Sequence, residues 1–82
     1  EILQLFVEQL PRLLNQLAQA TTDRDWYMAA HTLKGSARAV GAERLGELAA
    51  IAENKAAQRQ RFDLQPIRDD VREIMDYLAQ AA

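Results

Sequence analysis

The sequence predicts an all-α fold, an antiparallel four-helix bundle, and three observations predict it. Apolar residues recur at spacings of three and four along four separate stretches. A helix turns about 100° per residue, so each set falls on one side. The connections between the stretches are short, which makes consecutive helices antiparallel neighbours. Strand-like alternation, internal repeats and low-complexity tracts are absent from the sequence.

The first stretch runs from about Ile2 to Gln19, with Leu3, Phe6, Leu10, Leu13, Leu14 and Leu17 as its core stripe. Ile2 and Leu5 widen the apolar surface at its start. Pro11 removes one helical hydrogen bond, so a kink is expected there, or a split into two helices meeting near Gln9. Ala20-Thr21-Thr22 connects to the second helix. Thr22 suits its N-cap, and Asp23 and Asp25 suit its first turn. This helix extends to about Ala39, with Trp26, Ala29, Ala30, Leu33, Ala37 and Val40 facing inward. Gly41 stops it. The third helix is expected from about Ala42 to Gln58, with Leu45, Leu48, Ala49, Ala52 and Ala56 inside. Residues 59–63 form a polar loop in which Phe62 can fold inward. Asp63 can cap the fourth helix, and Pro66 fits its first turn. Leu64, Ile67, Val71, Ile74, Met75 and Leu78 make its stripe. The neighbouring Asp69 and Asp70 read as a solvated face.

At 82 residues the chain is expected to form one domain, 1–82. A chain of this length buries about 60% of its unfolded surface. Its 49% hydrophobic content is enough for a packed core and too high for disorder. Cysteine is absent, which excludes a disulfide framework and a thiolate metal site. That fits a reducing compartment, and a cytoplasmic location is expected. No run approaches the ~18 apolar residues of a membrane span, so no membrane contact is expected. The net charge of −2 gives no reason to expect nucleic acid. Glu1 opens in the middle of a helical pattern, so the chain reads as a piece of something longer.

The chemistry concentrates in His31–Gly41, HTLKGSARAVG. His31 is the chain's single histidine, and the helical spacing places it opposite Trp26, Ala30 and Leu33. Its neighbours on that side are Arg24, Tyr27, Met28, Lys34, Gly35 and Arg38. An imidazole nitrogen is a nucleophile near neutral pH. A phosphoryl group on it would add roughly −1.5 to −2 charges. Lys34 and Arg38, three and seven positions on, are placed to stabilise that charge. Gly35, four positions on, removes the side chain that would stand over the ring. Glycine inside a helix costs roughly 0.5–1 kcal/mol relative to alanine, and close approach of another molecule would justify it.

Against this stands the plain reading of each residue. An exposed histidine on a helix is commonly only a solvated polar group, and lysine and arginine are ordinary surface residues. Ser36 points sideways and suits a backbone hydrogen bond or close packing better than chemistry. Trp26 reads as core. Tyr27 and Met28 suit either docking or packing.

The combination of His31, Leu33, Lys34, Gly35, Ser36 and Ala37 with Gly41 and Leu45 resembles the histidine-containing phosphotransfer (HPt) domain of bacterial multistep phosphorelays. The weaker likeness of Phe6–Leu17 to the family's preceding helix extends it over nearly the whole chain. The resemblance implies a phosphoryl carrier. His31 accepts phosphate from a receiver-domain aspartate and passes it to another. It also implies a supporting role for Lys34 and Arg38, clearance at Gly35, and docking of response-regulator receivers over Leu5, Tyr27, Met28, Gly35 and Arg38. The domain itself should need no cofactor or metal, with Mg²⁺ on the partner receiver. It carries no glycine-rich nucleotide loop, so it is not expected to be a kinase, although a sensor histidine kinase can share its chain.

Two alternatives belong beside this. The phosphotransfer domain of chemotaxis-type kinases is similar, but it typically reads Lys-Gly-Gly-Ala where this chain has Lys34-Gly35-Ser36-Ala37. A helical adaptor module without phosphoryl chemistry is the other. The dimerisation helix of a sensor kinase fits worse. Its His-Glu-Leu-Arg-Thr-Pro pattern is broken by Thr32 and Ser36.

Overall fold

The computed structural model describes residues 2–81, and side chains from 3 to 80. Its regular elements are α1 (Ile2–Gln19), α2 (Asp23–Ala39), α3 (Glu43–Ala57) and α4 (Gln65–Ala81). Each helix packs on its neighbour in the chain, and α4 closes the ring on α1. The result is the four-helix bundle the periodicity predicts. α2 and α3 make the most extensive contact. Small residues allow it: Ala30 and Ala37 on α2 face Gly46, Ala49, Ala52 and Ala56 on α3, all of them buried. α1 contributes Phe6, Leu10, Leu13 and Leu17 to the core, and α4 contributes Ile67 and Val71.

α1 passes through Pro11 as one continuous helix, so the expected split near Gln9 does not occur. Pro11 is exposed, while Leu10 and Leu13 on either side are buried. Packing of that buried stripe holds the turn together where the backbone lacks a donor. Leu3 lies at the rim, 38% exposed, rather than in the core. The expected contribution of Ile2 falls outside the described side chains.

The caps follow local chemistry. Thr22 Oγ1 accepts from the Asp25 amide at 3.0 Å and starts α2. At its other end the Ala42 amide donates to the Ala37 carbonyl (2.9 Å) and the Gly41 amide to the Arg38 carbonyl (3.2 Å). This is a Schellman turn, with Gly41 at φ +78°. Ala42 is thereby the N-cap of α3, not its first residue, and α3 ends at Ala57. The same turn recurs there with Arg59, at φ +60°, in the left-handed position. Asp63 Oδ1 accepts from the Gln65 amide at 3.0 Å where α4 begins. Phe62 is half-buried against the core, as expected.

Asp69 and Asp70 part company. Asp69 is exposed and accepts from the Gln65 side chain at 2.7 Å. Asp70 is buried, 6% exposed, so it does not belong to a solvated face. One helical step of about 100° turns it towards α3, where Arg44 Nε lies 3.5 Å away. Burial pushes its carboxyl above the usual range. The Arg44 charge opposes this and Glu73 adds to it.

Candidate functional site

α2 carries Trp26, Ala30, Leu33 and Ala37 on its buried side. The opposite face therefore presents His31 to solvent, its side chain 56% exposed. Trp26 anchors this helix against α3 by donating from its indole to the Ala52 carbonyl at 3.3 Å. The guanidinium of Arg61 lies 5.2 Å from the Trp26 ring and pairs with Asp23 at 2.9 Å. The site thus sits on the most firmly packed pair of helices.

Across that helix pair stands Glu53, from α3. One of its oxygens lies 2.5 Å from His31 Nδ1 and the other accepts from Lys34 Nζ at 2.6 Å. The Glu53 side chain is only 10% exposed. Burial pushes its carboxyl up, but the hydrogen bonds and charges of Lys34 and His31 outweigh burial and hold it below the usual range. An ionised carboxylate only accepts hydrogen bonds, so the bond to Glu53 puts the proton of a neutral ring on Nδ1. The free lone pair then belongs to Nε2, on the ring's other side.

Lys34 lies beside His31 and bonds the same carboxylate, so it is not the free surface cation the sequence suggests. Its side chain is 19% exposed and its ammonium is committed to Glu53. Gly35 is exposed, and a Cβ there would meet nothing within 4 Å outside its own helix. The space one turn beyond His31 is therefore open. Arg38 is exposed and leans across α3: its Cγ lies 3.2 Å from where a Cβ on Gly46 would stand. Tyr27 is stacked on His31, with ring centroids 6.1 Å apart and planes 7° from parallel. Tyr27, Met28 and Leu5 are 37%, 52% and 54% exposed. Leu5 reaches α2 through a cleft that it shares with Phe6, Ser36 and Val40. Half-buried Ser36 thus lies at the α1–α2 seam.

Sequence reasoning missed Glu53 and Gly46. A signal for both was present. Glu53 follows Ala49 by four and precedes Ala56 by three, so a carboxylate stands within the apolar stripe of α3. Gly46 precedes Ala49 by three on the same stripe, where a side chain would crowd Arg38.

The family model of the Hpt domain matches residues 1–81, and the chain belongs to that family. Hpt domains are helical bundles that carry phosphoryl groups on histidine in phosphorelays and work with receiver domains. No curated protein and no solved structure matches the chain. Among the described residues, no helix is long and apolar enough to cross a membrane.

Proposed function

We propose that this Hpt domain is a phosphorelay intermediate whose phosphoacceptor is His31. The observation that carries the reading is the bond from His31 Nδ1 to the buried Glu53 carboxylate, with the rest of the ring in solvent. Nε2 attacks the phosphorus of an aspartyl phosphate on one receiver. An N–P bond forms, the P–O bond to the aspartate breaks, and the carboxylate leaves with the electron pair. The Nδ1 proton stays where it is, and Glu53 offsets the positive charge that develops on the ring. Transfer to a second receiver reverses these events. Mg²⁺ belongs to the receiver.

Arg38 supports the phosphoryl charge, Lys34 holds Glu53 ionised beside the ring, and open Gly35 leaves the receiver room to close over His31. Leu5, Tyr27 and Met28 form the docking face beside it. The domain is a carrier rather than a kinase. ATP chemistry falls to a sensor histidine kinase, in the same chain or another, on the cytoplasmic side of the membrane.

The test is transfer from a phosphorylated receiver to the wild type and to His31→Gln. The wild type should gain a phosphoramidate, labile in acid and stable in alkali, and His31→Gln should gain none. Label retained by His31→Gln would end the assignment. An unlabelled wild type, tested against a broad set of receivers, would favour an adaptor module.

A further inference from the structure

The contact between Tyr27 and His31 sets more than a docking surface. We propose that Tyr27 is a positioning residue: its ring fixes the plane of the His31 imidazole and thereby aims Nε2. This rests on His31 being the phosphoacceptor.

An exposed histidine has few contacts to hold its ring. The His31 side chain is 56% exposed, and its one described hydrogen bond is to Glu53. A hydrogen bond to one carboxylate oxygen fixes where Nδ1 sits. It tolerates considerable tilt of the ring about that point, because hydrogen-bond angles are broad. The second side-chain torsion of histidine is broad as well. The lone pair on Nε2 lies in the ring plane, so ring tilt translates directly into misdirection of the nucleophile. An in-line displacement on a docked receiver needs that direction held. A misplacement of ~1 Å can slow an aligned reaction about a hundredfold.

Tyr27 supplies the missing restraint. It stands four residues before His31, one helical turn away on the same face. The rings are 7° from parallel with centroids 6.1 Å apart, which is an offset stack. A flat ring lying alongside the imidazole resists tilt in a way that a branched aliphatic residue of similar size does not. The two contacts are complementary, since Glu53 comes from α3 and holds one ring nitrogen while Tyr27 comes from α2 and holds the plane. Glu53 selects which nitrogen reacts, and Tyr27 selects where it points.

Docking and positioning predict different kinetics. A docking residue changes the affinity for the receiver; a positioning residue changes the transfer rate once the receiver is bound. The test uses Tyr27→Leu, which keeps apolar surface without a flat face, and Tyr27→Phe, which keeps the ring. Single-turnover transfer from a phosphorylated receiver is measured across receiver concentration, with circular dichroism as the check on folding. Tyr27→Leu should lower the saturating rate about tenfold, over and above any change in the half-saturating concentration from its place in the docking face, and Tyr27→Phe should restore the rate. In NMR spectra the ring-current shift on the His31 ring protons should disappear in Tyr27→Leu and persist in Tyr27→Phe. A wild-type saturating rate in Tyr27→Leu, with or without weaker binding, overturns the proposal and leaves His31 as acceptor untouched. A rate that Tyr27→Phe fails to restore overturns it too. Failure of the wild type to accept phosphate would instead remove the reading on which the proposal rests.

Discussion

Lys34 and Glu53 are each tolerable in the site because the other is there. Glu53 is buried, and truncating Lys34 leaves its carboxylate with His31 as its one remaining described partner. A buried polar group deprived of a partner costs about 1–3 kcal/mol, and a charged one more. Lys34→Ala should therefore lower the thermal midpoint by several degrees at pH 7, more than a surface lysine would. An unchanged midpoint would show that the pair contributes nothing. The effect has a pH signature. Folded Glu53 holds its proton less tightly than the ordinary carboxyl, whose reference value is 4.5. Its contribution is thus complete above that value and is lost as pH falls through the lower folded one. The wild type should lose more stability in acid than Lys34→Ala, and the two melting curves should converge there.

At the scale of the helices, the termini divide into ends that suit their residues and one that does not. α2 ends in a Schellman turn on Gly41, and α3 ends in the same turn on Arg59. A left-handed conformation costs a residue with a Cβ roughly 1–2 kcal/mol, whereas glycine adopts it freely. Arg59→Gly should remove that strain, against a smaller loss from the added freedom of glycine in the unfolded chain. The net expectation is a gain of about 0.5–1 kcal/mol, read as a higher denaturant midpoint with an unchanged slope. Gly41→Ala should shift the midpoint the other way. If Arg59→Gly lowers the midpoint, contacts of the Arg59 side chain outweigh the backbone strain.

For the molecule as a whole, stability is a small difference. About 0.05–0.15 kcal/mol per residue over 82 residues gives roughly 4–12 kcal/mol. One awkward buried charge is then a visible fraction. Asp70 is such a charge, facing α3 with Arg44 as its counter-ion, and the Arg44 side chain is itself 75% exposed. Folded Asp70 holds its proton more tightly than the reference carboxyl at 3.8. Its favourable contribution is thus present below that value and is lost as pH rises through the raised folded one. Asp70→Asn should melt higher than the wild type at pH 7, and the advantage should shrink towards pH 3. A lower midpoint for Asp70→Asn at pH 7 would mean that the Arg44 pair more than offsets the burial of Asp70.

Much of this molecule follows from relations within one or two helical turns. The four helices, the Thr22 cap, the Gly41 stop and the inward stripes of Leu10, Leu33 and Ile67 depend on neighbours three or four positions away. So does the placement of His31, Lys34 and open Gly35 on one face of α2. Those relations are written in the sequence, because helix geometry is the same whatever the helix packs against. Tertiary packing decided the rest. The continuity of α1 through Pro11 depends on Leu10 and Leu13 being buried against the other helices. The burial of Asp70 depends on where α3 lies. Glu53 reaches His31 and Lys34 from 22 and 19 positions away, and only the closeness of α2 to α3 brings them within a hydrogen bond. The spacing of Glu53 from Ala49 and Ala56 shows only a carboxylate on an apolar stripe, a signal the sequence reading passed over. What that carboxylate would meet there was set by the neighbouring helix, whose position no local pattern in α3 encodes.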